Sequence, residues 1–295
     1  MTGTDGMIEG GSRLADVHIQ ARSVLVKAGI ENAELDARLL VEWITGFDRL
    51  ETIRNPHNEV AADVLTRLDA VLNRRINGES VHRIIGRRAF FGLEFSLSAD
   101  TLEPRPDTEA LVELALPFLQ QRVAENGIAD LIDLGTGTGA IAIALLGQVP
   151  HLRAIGVDIA PGALVTARDN AHLNGVSNRF AVLHSNWFAE VTGGFDMIIS
   201  NPPYIRSKDI VDLQPEVAMH DPVLALDGGA DGLKPYRIIA EQANRHLRVN
   251  GAIAVEIGYD QRMDVEAIFA GSGFALKGLQ TDIAGHERAM LFMKL

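Results

Sequence analysis

The 295-residue chain contains no cysteine. That excludes disulfides, thiolate metal sites and a cysteine nucleophile, and it suits a reducing cytoplasm. Also missing is any apolar run of the roughly 20 residues a bilayer span requires, so no membrane partner is expected. Residues 1–12, MTGTDGMIEGGS, carry Gly, Thr and Asp where a secretory leader needs a basic and then an apolar stretch. A cytoplasmic protein is expected, with Met1 or Met7 as its start. Basic residues are in deficit as well: 27 Lys and Arg stand against 39 Asp and Glu, a net charge of −12. Nucleic-acid affinity comes mainly from Lys and Arg neutralising phosphates, so direct nucleic-acid binding is not expected, although Arg83, Arg87 and Arg88 form a local basic stripe. The nine histidines are scattered with no pair at ligand spacing, so no metal site is expected.

With 47% hydrophobic and 22% charged residues, what remains is an ordinary globular composition. The length suits one sizeable α/β domain and a smaller companion. Residues 13–78 carry apolar residues at helical spacing in three stretches. In the first these are Leu14, Val17, Ala21, Val24, Leu25 and Ala28, with Ser12 placed to cap the helix and Gly29 to end it. The second has Leu35, Leu39, Leu40 and Trp43; the third has Val60, Val64, Leu68, Val71 and Leu72 before Asn77-Gly78. These stripes predict a small bundle whose helices share one core. Around Gly92 the period changes, and Arg87–Phe91 with Leu93–Leu97 predict a hairpin. From residue 129 short apolar strands (Asp130–Leu134, Ala154–Asp158, Ala181–His184, Asp196–Ser200, Ala252–Ile257) alternate with helical stretches. That alternation predicts a doubly wound, mostly parallel sheet.

Between the first strand and its helix lies Asp133-Leu-Gly135-Thr136-Gly137-Thr138-Gly139-Ala140. Such glycines permit a tight turn and let a ligand approach backbone N–H groups at a helix N-terminus. Asp158 follows Gly139 by nineteen residues, at the end of the next strand, where a carboxylate can accept from two ribose hydroxyls. A nicotinamide dinucleotide would fit this pattern equally well. Asp133 is either a neighbour of the ligand or a turn-stabilising residue. Asn186 and Trp187 follow the third strand, at the edge where an adenine ring would lie, and Trp187 suits the core as well.

Asn201-Pro202-Pro203-Tyr204 separates the alternatives, because it directly follows the strand FDMIIS and so faces the same crevice as the glycine turn. A nitrogen conjugated to a π system is a poor nucleophile. Accepting hydrogen bonds from both of its N–H groups, through the Asn201 side-chain oxygen and the Pro202 carbonyl, draws the lone pair out of conjugation. The prolines stiffen the loop by fixing φ, and Tyr204 can stack on the planar group. This chemistry fits methyl transfer from S-adenosylmethionine to a planar nitrogen, with Asn201, Pro202 and Tyr204 as the catalytic set and Pro203 completing the substrate-binding loop.

The sequence resembles the release factor glutamine N5-methyltransferases, the PrmC/HemK family. The resemblance rests on the helical N-terminal stretch, the hairpin, Arg105-Pro-Asp-Thr-Glu109, DLGTGTGAIAIAL at 133–145, Asn-Trp-Phe at 186–188, the Asn-Pro-Pro-Tyr segment, and Leu226-Asp-Gly-Gly-Ala-Asp-Gly-Leu233 with Tyr236-Arg237. It implies a class I methyltransferase fold in which Gly135 to Gly139, Asp158 and Trp187 contact the methyl donor and Asn201 to Tyr204 hold the acceptor. The implied substrate is the glutamine of the Gly-Gly-Gln loop in class I peptide-chain release factors, and the implied product is S-adenosylhomocysteine. Two positions depart from the family pattern: Asn186 replaces an Asp, and Glu103 stands where a hydrophobic residue is usual.

The expected organisation is a helical docking domain over 1–83, a hairpin linker over 84–101 and a methyltransferase domain over 102–295, acting as a monomer. Arg105 to Glu109 is good helix-start chemistry whatever else it does, and Asp227-Gly-Gly and Asp231-Gly are turn signals first. Other readings are the same chemistry on a ribosomal-protein glutamine or on an exocyclic nucleic-acid amine, a nicotinamide-dependent oxidoreductase, and a non-catalytic cofactor-binding adaptor.

Overall fold

The computed structural model describes Ile8 and residues 13–295, which divide into two compact units after Gly86. Ser12, the leader question and the choice of start residue lie outside the described residues.

The first unit is helical: α1 (Leu14–Lys27), α2 (Ala33–Thr45), α3 (Arg49–Arg54), α4 (Ala62–Ile76) and α5 (Val81–Ile85). Its core joins Leu14, Val17, Ala21 and Leu25 of α1 to Leu68, Val71 and Leu72 of α4, the faces expected from their spacing. The stripe expected for α2 holds in part. Leu40 is buried and Leu39 packs against the same core, but Leu35 and Trp43 are 45% and 43% exposed, and Ala33, Ala37, Val41 and Ile44 complete the inward face. Asp36, on that buried face, is paired with Arg75 of α4 at 2.6 Å. Two short helices, α3 and α5, were also not expected; each begins with a capping side chain, Asp48 and Ser80 respectively.

The second unit opens with the hairpin β1 (Arg87–Phe90) and β2 (Leu93–Ser96), then α6 (Glu109–Asn126). There follow β3 (Ala129–Leu134), α7 (Ala140–Gln148), β4 (Leu152–Asp158), α8 (Pro161–Leu173), β5 (Phe180–His184), β6 (Phe195–Ser200) and α9 (Pro215–Ala218). The unit ends with α10 (Lys234–Ala243), β7 (Leu247–Glu256), α11 (Arg262–Gly271), β8 (Phe274–Thr281) and β9 (Glu287–Lys294). The seven-stranded sheet runs β5-β4-β3-β6-β7-β9-β8. Its first five strands are parallel, whereas β9 is antiparallel to both neighbours, an addition the sequence pattern did not reveal.

Burial explains the strand sequences. Every residue of β6 is buried, so its apolar residues do not alternate with exposed ones: Met197, Ile198 and Ile199 run consecutively between the buried polar Asp196 and Ser200. Helix α7 is buried from Ala140 to Leu146, which accounts for a segment apolar on all sides. Chain order reverses between β3 and β6, and that reversal opens a crevice beyond their carboxyl ends. The glycine turn leaves β3 there and Asn-Pro-Pro-Tyr leaves β6. Ser200 fixes the two exits together, its hydroxyl donating to the Leu134 carbonyl at 2.7 Å in a buried bond.

Candidate active site

At the end of β3, the Asp133 side chain is fully buried and accepts from the Thr136 hydroxyl at 2.7 Å. Its other oxygen, Oδ1, is buried with no hydrogen-bond partner among the described residues. Burial, reinforced by the nearby Asp158 charge, raises this carboxyl to about 7. The three glycines of the turn all have positive φ, which L side chains rarely adopt. A Cβ on Gly135 or Gly137 would meet nothing within 4 Å, so open space lies above them, whereas one on Gly139 would strike Ile143 at 2.8 Å. Gly139 therefore serves the packing of α7, and the first two keep the floor of the crevice clear.

Asp158, at the end of β4, is tied to that turn. One carboxylate oxygen accepts from Gly137 N and the other from Ala160 N, both at 2.9 Å. Burial raises its pKa, and those backbone donors oppose the rise. Asn170 of α8, fully buried, bonds the Ser96 backbone in both directions and donates to the Thr138 carbonyl at 2.9 Å. The hairpin and the glycine turn are thus held by one amide. Asn186 is exposed; Trp187 is half-buried with φ of 52°, its carbonyl accepting from Ser185 Oγ at 3.0 Å. Trp187 both lines the cleft and packs against the core beside it.

These residues line a cleft of about 350 Å³, which reaches from Asp158 and Trp187 to Asn201 and Pro203. A second cavity of about 460 Å³ lies on the other side of Asn-Pro-Pro-Tyr and is lined by Tyr204, Glu256 and Arg288. Asn201 and Pro203 belong to both walls. The Asn201 Nδ2 donates to Thr108 Oγ1 at 3.1 Å, which turns the side-chain oxygen to the opposite side. The Tyr204 hydroxyl donates to Glu256 Oε1 at 3.3 Å, and burial beside that carboxylate raises the phenol pKa.

Several residues that sequence reasoning did not assign to the site support this loop. Gln261 donates to the Tyr204 carbonyl at 3.0 Å. Gly228 and Gly232, expected as turn residues, lie against the Pro203 and Tyr204 carbonyls so closely that a Cβ at either would collide. The Arg105-Pro-Asp-Thr-Glu segment does begin a helix, as expected, and it also places Thr108 against Asn201 and Arg105 against Asp221 at 2.8 Å. Glu103 is buried and ion-paired with Arg88, which explains how a carboxylate is accommodated there. Glu256 was detectable as a lone carboxylate ending the apolar strand β7, at the sheet edge where ligands bind.

Residues 16–86 match the PrmC N-terminal domain, and residues 110–220 match the methyltransferase small domain. A release factor glutamine methyltransferase of Agrobacterium fabrum is 50% identical over 94% of this chain and 96% of its own length. A protein of the same name from Rhodospirillum rubrum is 44% identical over 90% of this chain and 80% of its own length. Among solved structures, a methyltransferase from Pyrococcus furiosus shares the fold with a TM-score of 0.52 and 19% identity, covering 76% of this chain and 98% of that one. Among the described residues no helix is long and apolar enough to cross a membrane. Identity at this level across both units, with the glycine turn and Asn-Pro-Pro-Tyr facing one crevice, means that the chain belongs to the release factor glutamine methyltransferase family.

Proposed function

We propose that the protein transfers a methyl group from S-adenosylmethionine to the side-chain amide nitrogen of the glutamine in the Gly-Gly-Gln motif of class I release factors, in the cytoplasm. The observation that carries this reading is the shared wall between the two cavities, where Asn201 keeps its amide hydrogens on Thr108 and so presents an acceptor oxygen. The residues present suit the donor. The cleft lies within the range of about 300–1,000 Å³ usual for small-molecule sites. The partnerless Asp133 Oδ1 suits the donor's ammonium, the space above Gly135 and Gly137 suits its close approach, the remaining lone pairs of Asp158 suit the ribose, and the Trp187 and Asn186 edge suits the adenine. When bound, S-adenosylmethionine supplies an electrophilic methyl on a sulfonium.

The chain's own contribution is acceptor chemistry. The Asn201 oxygen and the Pro202 carbonyl accept the two amide N–H groups, drawing the nitrogen lone pair out of conjugation and aiming it at the donor cleft. Tyr204 packs against the planar amide, its ring held by the Glu256 bond. No strong base is needed, because the nitrogen becomes acidic only once alkylated. Most of the rate enhancement then comes from orientation and proximity. The helical unit carries none of these groups, which supports a docking role for it on the protein substrate. Mass spectrometry of release factor after incubation with enzyme and donor tests the reading: one added methyl on the Gly-Gly-Gln glutamine is expected, and an unmodified glutamine in folded release factor rejects it.

A further inference from the structure

A main-chain acceptor in the Asn-Pro-Pro-Tyr loop is aimed differently from a side-chain one. Asn201 is turned by its own bond to Thr108, but the Pro202 carbonyl points wherever the peptide planes around it point. The two prolines remove two of the loop's rotations by fixing φ. What freedom remains is decided at the ends. The entry is held by Ser200, whose hydroxyl donates to the Leu134 carbonyl at 2.7 Å.

At the exit, a single peptide plane is gripped from both edges. Ile205 N donates to the Leu226 carbonyl at 3.0 Å, and the Tyr204 carbonyl accepts from Gln261 Nε2 at 3.0 Å. Nε2 also donates to the Gly232 carbonyl at 3.3 Å, while Oε1 accepts from Gly258 N at 3.0 Å. That last bond fixes which way round the amide lies, because a flipped amide would turn its own hydrogens on the Gly258 N–H. The Tyr236 hydroxyl, which gives its proton to the Glu256 carbonyl at 2.9 Å, lies 3.4 Å from the same Oε1. One buried amide thus ties the exit of β6 to the exit of β7 and to the loop that carries Gly232. Gly232 has to be glycine for the same reason: its φ is 75°, and a Cβ there would stand 2.8 Å from Gln261 Nε2.

Helix chemistry does not account for this residue. Gln261 is the N-cap of α11, where Ser, Thr, Asp and Asn are favoured because a short side chain reaches back to the free N–H groups of the first turn. Its side chain makes no capping bond. The amide serves the loop instead.

We propose that Gln261 is a positioning residue for methyl transfer, which holds the Tyr204–Ile205 peptide so that the Pro202 carbonyl and the Asn201 oxygen converge on one acceptor nitrogen. The proposal rests on those two oxygens accepting from the substrate amide, as argued above. Without Gln261 the plane is held by its N–H edge alone and can tilt, and the peptide planes of the two prolines tilt with it. The Tyr204 ring keeps its separate bond to Glu256, so the stacking face stays in place while the acceptor oxygens lose their aim. A misplacement of about 1 Å at a reacting group can cost about 10²-fold in rate, and a tilt of one plane is a fraction of that.

The test is steady-state kinetics of the full-length protein on release factor, with kcat taken per donor-binding site counted by S-adenosylhomocysteine calorimetry. Gln261→Met keeps the length and packing of the side chain and removes its hydrogen bonds. It should lower kcat about 5- to 50-fold, with the KM for release factor within about 3-fold of wild type and donor affinity unchanged. Gly258→Ala sets a Cβ 2.9 Å from Gln261 Oε1 and so displaces the amide without removing it; kcat should fall about 2- to 5-fold. Because the loop's orientation matters only through its acceptors, Gln261→Met should cost less in an Asn201→Ala background than in wild type. A merely structural role would lower the number of donor-binding sites or the unfolding temperature and leave kcat per site alone. Unchanged kcat per site in Gln261→Met overturns the proposal, as does a loss confined to KM or a fully additive loss in the double variant. If Gln261→Met does not fold, Gly258→Ala decides, and unchanged turnover there overturns the proposal equally. Near-normal turnover by Asn201→Ala alone would instead remove the acceptor role on which the proposal stands.

Discussion

Replacing Asp158 by alanine should weaken S-adenosylhomocysteine binding about tenfold to hundredfold. Hydrogen bonds to a charged acceptor contribute roughly 1.5–3 kcal/mol, and about 1.4 kcal/mol is a factor of ten in affinity. The residue also has a second job, since its two oxygens accept Gly137 N and Ala160 N at 2.9 Å each. Alanine unties both donors, but Asp158 is only half-buried, so water can reach them and the stability cost stays below the binding cost. Asparagine is the sharper probe. An amide has one acceptor oxygen, so in either orientation its NH₂ faces a backbone N–H, and Asp158→Asn should bind nearly as poorly as Asp158→Ala. Titration calorimetry with S-adenosylhomocysteine, with thermal unfolding as a control on the fold, measures both variants. Unchanged affinity in the alanine variant refutes the ribose assignment. An asparagine variant that binds like wild type refutes the double commitment of the carboxylate.

Asn201→Ala should lower kcat roughly 10²–10³-fold with donor affinity intact, whereas Tyr204→Ala should chiefly raise the KM for release factor; near-normal turnover by the former reduces the loop to a rigid turn. The raised Asp133 and Glu256 carboxyls, both at about 7, bind protons in the folded protein that the unfolded chain gives up near pH 4, so donor-free stability should fall as pH rises from about 4 to about 7. A ligand ammonium beside Asp133 would force it to ionise, so at pH about 6.5 S-adenosylhomocysteine binding should release a proton. Binding heats that do not vary with the buffer's ionisation enthalpy, or that vary equally in Asp133→Asn, would count against that contact. Removal of residues 1–86 should leave donor binding intact, because residues 87–295 hold their own core, but abolish methylation of intact release factor. Full activity in the truncated protein would end the docking role.

The parts of the candidate site that were legible in the sequence are short runs of consecutive residues at the end of a mostly buried parallel strand. The glycine turn, Asp158 and Asn-Pro-Pro-Tyr each announce their position at the crevice. The supporting groups are distant in sequence: Thr108 meets Asn201 across 93 positions, and Glu256 meets Tyr204 across 52. Nothing local marks a threonine at a helix start as the partner of the Asn201 amide. Gly228 and Gly232 look like ordinary turn residues because the demand on them comes from carbonyls elsewhere in the chain. The partial miss in α2 has a different origin. Its inward face combines Leu40, Val41 and Ile44 with the small Ala33 and Ala37 and the paired Asp36, while Leu35 and Trp43 point outward, so hydrophobic spacing alone misplaces the edges of the stripe.

The insertion of β9 between β7 and β8 has a consequence for how the protein is made. β7 pairs with β9 in a register that sets Glu256 opposite Ala289, and Arg288 reaches back to the carboxylates of Asp107 and Asp282. None of this can form while residues 287–294 are still being polymerised. At about 5–20 residues per second, the ribosome delivers Arg288 roughly 2–6 s after Glu256. During that interval the chain already carries the glycine turn, Asp158 and Asn201, yet the far edge of its sheet is open and the Glu256 carboxyl lacks its guanidinium neighbour. Every residue that lines the first cleft is therefore synthesised before the second cavity receives Arg288 for its wall.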